Sequence, residues 1–212
     1  ILGRDGAPPA LMRGEAGGFF PHSPELIEIE GAEWGHPLAL TSGDVDGDGD
    51  LDVWLSQYRS PYAEGRVPVP FFDANDSYPS YLLVNQGGGR FVDRTVKAGL
   101  GKKRGRRTYS CSFADLDGDQ DLDLVTVNDF AGVDVHENDG HGRFRDVTAR
   151  SMDQRATFGM GHAFADQDGD GRVDLYVVGM SSSTARRLDA MKAGRGEYPE
   201  YQKMRMPMGY GN

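Results

Sequence analysis

The sequence predicts an all-β protein of repeated four-stranded antiparallel units, the blade of a β-propeller, and three observations carry that prediction. The 212 residues hold 24 Asp, and 14 of these fall in three nine-residue windows, 44–52, 115–123 and 166–174. A second pattern, N-x-G-x-G-x-F-x-D-x-T, runs from Asn85 to Thr95 and again from Asn138 to Thr148, so that windows and motifs alternate. Between them lie short β-rich runs rather than helical periodicity. A four-stranded unit recurring every 50–70 residues or so fits a propeller better than a solenoid, whose repeats are shorter.

Each element follows from local chemistry. A strand leads into each window (Pro37–Thr41, Tyr109–Phe113, Gly161–Phe164), and a β-rich run leaves it (Val53–Ser56, Leu124–Val127, Leu175–Val178). A further strand follows at Tyr81–Asn85 and Val133–Glu137. It ends in a glycine turn, Gly87–Gly89 or Asp139–Gly142, and the last strand starts at Phe91 or Phe144. From window to motif the distance is 41 residues in the first unit and 23 in the second. The excess falls on an irregular, Pro-rich stretch at Arg59–Asp76, read as an insertion. Three blade units are expected, at about 35–100, 101–153 and 154–212, behind an N-terminal segment 1–34. In the third, Ser181–Thr184 is a helix N-cap signal, and a helical insert is expected over about 184–206.

Composition narrows the function. The net charge is −10, yet outside the windows Lys+Arg (22) outnumber Asp+Glu (19), so the acidity is local and not that of a solvating tail. No apolar run reaches the roughly 18–20 residues of a membrane helix. Cys111 is the one cysteine, which excludes an internal disulfide framework and a Cys-rich zinc site. The chain opens at Ile1 without a signal-peptide pattern, and the propeller it predicts is unfinished. Its open edges are therefore expected to be covered by remaining blades or by another chain.

The windows read DVDGDGDLD, DLDGDQDLD and DQDGDGRVD. Asp at positions 1, 3, 5 and 9 of a tight loop can converge four carboxylates on one point. Position 4 is glycine in all three (Gly47, Gly118, Gly169), which permits the positive φ that folds a chain round an ion. Position 7 is Asp50, Asp121 or Arg172; an arginine cannot ligate through its side chain, so a backbone carbonyl is expected there. Hard oxygens in a flexible ring suit Ca²⁺. An EF-hand is excluded, because position 12 is Leu55, Thr126 or Val177 instead of Glu and the flanks are strands.

These windows, in the settings FADLDGDQDLDLV and FADQDGDGRVDLYV, resemble the FG-GAP/VCBS repeats of integrin-α-type propellers. The N-x-G-x-G-x-F-x-D-x-T element and GMGHAFADQDGDGRVDLYV look more like the cartilage-acidic-protein (ASPIC/UnbV) branch of bacterial secreted proteins. The resemblance covers roughly residues 35–180. It implies a seven-bladed propeller, of which this chain holds about three blades, with one Ca²⁺ per motif-bearing blade and an extracytoplasmic location. It also implies the ligands: side chains of Asp44, Asp46, Asp48 and Asp52 with the Asp50 carbonyl; Asp115, Asp117, Asp119 and Asp123 with Asp121; Asp166, Asp168, Asp170 and Asp174 with Arg172. Gln120 stands where the other windows have glycine.

The run Lys102–Arg107 carries five cations in six residues and could hold an anionic partner, though a solvated loop offsetting the acidic windows explains it as well. With a net charge of −10 and no recognition motif, nucleic acid is not expected. Met204, Met206 and Met208 fit packing better than copper binding. The five histidines are dispersed, and no nucleophile elbow or phosphate loop is present. The expected function is a non-enzymatic, Ca²⁺-stabilised module for protein binding or assembly. One alternative is a carbohydrate-binding or lyase propeller using Tyr58, Tyr62, Phe71, Phe72 and Tyr78. Another is an accessory subunit of a periplasmic or membrane-associated redox complex, docking through 181–212.

Overall fold

The computed structural model describes residues 1–18, 20, 23–61 and 68–181. Three short strands open the chain, β1 (Leu2–Arg4), β2 (Ala7–Leu11) and β3 (Glu25–Leu26), paired in the order β1-β2-β3. A four-stranded meander follows: β4 (His36–Gly43), β5 (Asp52–Tyr58), β6 (Tyr81–Asn85) and β7 (Phe91–Asp93). A second meander repeats it with β8 (Arg107–Ala114), β9 (Asp123–Asp129), β10 (Gly132–Asn138) and β11 (Phe144–Asp146). One helical turn, α1 (Thr148–Ser151), leads to the antiparallel pair β12 (Gly159–Ala165) and β13 (Asp174–Gly179). The described chain is thus all-β with antiparallel sheets, consistent with a segment of a propeller. The expected helical insert 184–206, the methionine triplet and Tyr62 lie outside the described residues.

The repeat extends to details of register. Gly43 pairs with Asp52, Ala114 with Asp123 and Ala165 with Asp174, so every aspartate window is the connection closing its unit's first hairpin. Five places before each closing pair the register slips by one residue, at Leu38, Tyr109 and Met160. A bulge at a fixed place in three units belongs to the design of the repeat.

The sheets stack face to face, and period-2 side-chain alternation decides which core each residue enters. Trp54, Leu82 and Val84 from the first meander meet Cys111, Leu124 and Phe144 of the second. Their neighbours Val53, Leu55, Tyr81 and Leu83 point the other way, onto Ile27, Leu11, Ile29 and Trp34 of the N-terminal segment. Val125, Val127, Val133 and Val135 face Phe164, Leu175 and Val177 of the β12–β13 pair. Covered on both faces, β5 and β9 are buried along their whole length. The N-terminal segment, which showed no repeat in sequence, is therefore a packed layer on the first meander.

The insertion between β5 and β6 crosses to the neighbouring unit. Phe71 packs edge-on against Phe130, 5.0 Å between ring centroids, and against Phe158 at 6.3 Å. The Ala74 amide donates to the Phe130 carbonyl (3.1 Å), and Asp76 takes a two-pronged bond from Arg107 (3.0 Å each). Residues 71–76 are a strap over the end of the second meander.

Candidate metal centre

The three windows adopt one backbone design, organised by their first aspartate. Asp44 accepts the amides of Gly47 (2.8 Å), Asp48 (3.1 Å) and Gly49 (2.9 Å). Asp115 accepts those of Gly118 (2.8 Å) and Gln120 (3.1 Å), and Asp166 those of Gly169, Asp170 and Gly171 at 2.8–3.0 Å. Wrapping the chain round one carboxylate forces positions 4 and 6 into left-handed backbone. Gly47, Gly118 and Gly169 have φ of 76°, 86° and 77°, as position 4 requires. At position 6 Gly49 and Gly171 take φ of 90° and 83°, whereas Gln120 is held at 75° with a side chain. That conformation costs an L-residue about 1–2 kcal/mol. Gln120→Gly is therefore expected to stabilise the metal-free protein by about 0.5–1 kcal/mol, after allowance for the freer unfolded glycine. Urea melts in EGTA read this directly, and a loss of stability would refute it.

Position 9 is a latch. The Asp52 carboxylate is fully buried and accepts the Val45 amide (3.2 Å) through one oxygen and the Asn85 amide (2.9 Å) through the other. Asp123 repeats this with Leu116 (3.1 Å) and Asn138 (2.9 Å). Window and motif, 41 or 23 residues apart in sequence, are thus one structural piece, joined by the asparagine that opens the motif. The rest of the motif is also accounted for. Phe91 and Phe144 enter the core. Thr95 and Thr148 each bond the aspartate two places earlier (2.5 and 2.7 Å) and accept an amide from the adjacent strand, Leu82 (2.8 Å) or Val135 (3.0 Å).

In the first window Asp44, Asp46 and Asp48 bring one carboxylate oxygen each to within 4.8 Å of one another, and Asp115, Asp117 and Asp119 do so in the second. In the third the group is Asp166, Asp168 and Asp174. There Arg172 turns its guanidinium onto Asp170 (Nε to Oδ2, 2.8 Å), which holds that carboxyl below its ordinary range. Asp174 is exposed and accepts the Gln167 amide (2.9 Å).

In the first two windows several carboxyls lie above their ordinary range. Burial, followed by repulsion from Asp48, raises the Asp46 carboxyl. Burial and neighbouring aspartates push Asp52 and Asp121 up to about 6. Asp46 Oδ1 and Asp121 Oδ1 are buried without a hydrogen-bond partner, the condition under which a carboxylate is most costly. Oxygen donors of this kind, short of compensating charge, match a hard cation.

The basic run does not stand out as a block. Arg106 and Arg107 are 4% and 3% exposed. Arg106 bonds Asp134 (3.1 Å) and Asp73 (2.8 Å), and Lys103 bonds Asp134 (2.5 Å) and Asp146 (2.7 Å). Arg107 opens β8, and Arg104 lies over the Tyr81 ring at 4.9 Å. A cavity of about 390 Å³ beside it is lined by Lys103, Arg145, Arg150 and Arg155, and each of these is paired with a carboxylate. Three of the aromatics expected for a carbohydrate site are engaged elsewhere: Tyr58 is buried and donates to Asp129 (2.8 Å), Phe71 packs on Phe130 and Phe158, and Tyr78 lies under Arg59 at 4.5 Å.

Stacked antiparallel sheets whose first hairpins close through aspartate loops define a class of repeat protein. The model of the FG-GAP-like repeat matches twice, at residues 71–126 and 115–177, together half of the chain, and the protein belongs to that family. The two matches share the second window, and the second match also contains the third. The first window lies outside both and yet has the same fold. No curated protein matches the chain. Among the described residues no helix is long and apolar enough to cross a membrane.

Proposed function

We propose that this chain is part of a calcium-stabilised β-propeller acting outside the cytoplasm as a non-enzymatic module for protein binding or assembly. The observation that carries this reading is the threefold convergence of carboxylate oxygens in loops of one design, the first of which includes Asp46, whose Oδ1 is buried without a partner. In the first loop Asp44, Asp46, Asp48 and Asp52 would supply side-chain oxygens and Asp50 its carbonyl. Asp115, Asp117, Asp119, Asp123 and Asp121 would do so in the second, and Asp166, Asp168, Asp170, Asp174 and Arg172 in the third. The bound ion would supply charge neutralisation and rigidity, fixing the first hairpin of each complete meander against its outer one. The N-x-G-x-G-x-F-x-D-x-T element favours the cartilage-acidic-protein branch within the family. Blades beyond this segment, or another chain, would close the sheet edges.

Calorimetric titration of the chelated protein tests the reading. Three sites with dissociation constants of roughly 10⁻⁴–10⁻³ M are expected for calcium, as in extracellular modules, with weaker binding of Mg²⁺. No heat of binding up to about 10 mM calcium, well above those constants, would overturn it.

A further inference from the structure

The outer hairpin of the second meander touches two aspartate loops at once. Asn138, 4% exposed, donates its side-chain amide to the Val45 carbonyl of the first loop (2.8 Å) and the Leu122 carbonyl of the second (3.2 Å). Its backbone amide meets Asp123 (2.9 Å). The turn that follows lies between the same loops. A Cβ added at Gly142 would sit 3.3 Å from the Asp46 Cβ, and one at Gly140 would sit 3.2 Å from Asp121 Oδ2. Asp46 and Asp121 are the two loop residues with a buried, unpartnered carboxylate oxygen. Both glycines have left-handed backbone, φ 71° and 73°. The first meander's hairpin has no such reach among the described residues: Asn85 bonds the Leu51 carbonyl of its own loop (3.4 Å).

We propose that the hairpin Asn138–Arg143 couples cation binding in loop 44–52 to cation binding in loop 115–123, a proposal that rests on the calcium reading above. A cation in the first loop fixes Asp46 and Val45, and through them Asn138 and the turn. The second loop needs the same hairpin in the same place, at Leu122, Asp121 and Asp123. The ordering cost is met once, so the second cation binds more tightly than the first. The coupling is reciprocal.

Calcium titration of the full chain, followed by NMR at the amides of Gly47, Gly118 and Gly169, reads each loop separately. Disabling the second loop with Asp119→Asn is expected to weaken calcium at Gly47 by roughly fivefold or more, the lower range of known couplings. Disabling the third with Asp168→Asn should leave Gly47 unchanged. In an Asn138→Ala background Asp119→Asn should no longer affect Gly47. Gly142→Ala serves the same purpose if Asn138→Ala fails to fold. Calcium binding at both loops with no effect of Asp119→Asn on Gly47 would overturn the coupling and leave the calcium reading standing. No calcium response at any of the three amides would overturn both.

Discussion

Adding calcium to the chelated protein is expected to raise its unfolding midpoint by on the order of 10 °C, and single aspartates should divide that effect in opposite ways. At about 10 mM calcium and constants of roughly 10⁻⁴–10⁻³ M, each occupied loop gains about 1.4–2.7 kcal/mol by mass action. For a chain of this size each kcal/mol moves the midpoint by about 2–4 °C. Asp46→Ala should change sign between buffers. In EGTA it removes a carboxylate that is partly desolvated, repelled by Asp48 and left with an unpartnered oxygen. The gain should be at most about 1 kcal/mol, because solvent still screens much of the group. In calcium the same change removes a ligand, and the loop's share of the stabilisation is lost. Asp52→Ala behaves differently. It strands the buried amide of Val45 and the part-buried amide of Asn85, at a cost of about 2–4 kcal/mol in EGTA, and in calcium it forfeits the loop's share of the ion's stabilisation as well. Differential scanning calorimetry of both variants in both buffers gives the four values. Equal signs for Asp46→Ala in the two buffers would sink the ligand assignment, and a harmless Asp52→Ala would sink the latch.

The parts of the fold legible in the sequence were those written in residue types that only one backbone geometry accepts. Glycine at position 4 marked the left-handed turn, and the alternation of aspartates marked the side of the loop on which carboxylates gather. Valine, leucine and tyrosine runs marked strands, though not that β5 and β9 are buried on both faces. The joining of window to motif was not legible, because 41 and 23 residues separate Asp44 from Asn85 and Asp115 from Asn138, and only the closed meander brings them together. Residues 1–34 carry no repeat, so nothing in their pattern announced a sheet packed on Leu55 and Tyr81. The run Lys102–Arg107 looked like a surface because charge density alone does not tell which carboxylates face it. Asp73, Asp76, Asp134 and Asp146 are scattered over three later or earlier segments and are brought to the run by the strap and the second meander, Asp134 fully buried and the other three part-exposed.

That inward network leads to the second large effect. Asp134 has no solvent exposure, and its two oxygens meet Lys103 (2.5 Å), Arg106 (3.1 Å) and the Asn128 amide (3.1 Å). Arg155 stands 3.7 Å away and also reaches Asp73 on the strap (3.3 Å). Asp134→Ala is expected to lower stability by about 3–5 kcal/mol, since removing one member of a buried ion group leaves the others uncompensated. Lys103 keeps Asp146 and Arg106 keeps Asp73, which should hold the loss below that of an isolated buried cation. Arg145→Ala is the control: its bond to Glu137 lies at the surface, with 70% of the arginine side chain exposed, and the loss should stay within about 1 kcal/mol. Calcium should not rescue Asp134→Ala, because none of its partners belongs to an aspartate loop. Urea denaturation with and without calcium measures all three differences. A loss for Asp134→Ala no larger than for Arg145→Ala would show that the cations of 102–107 are held by something other than this network.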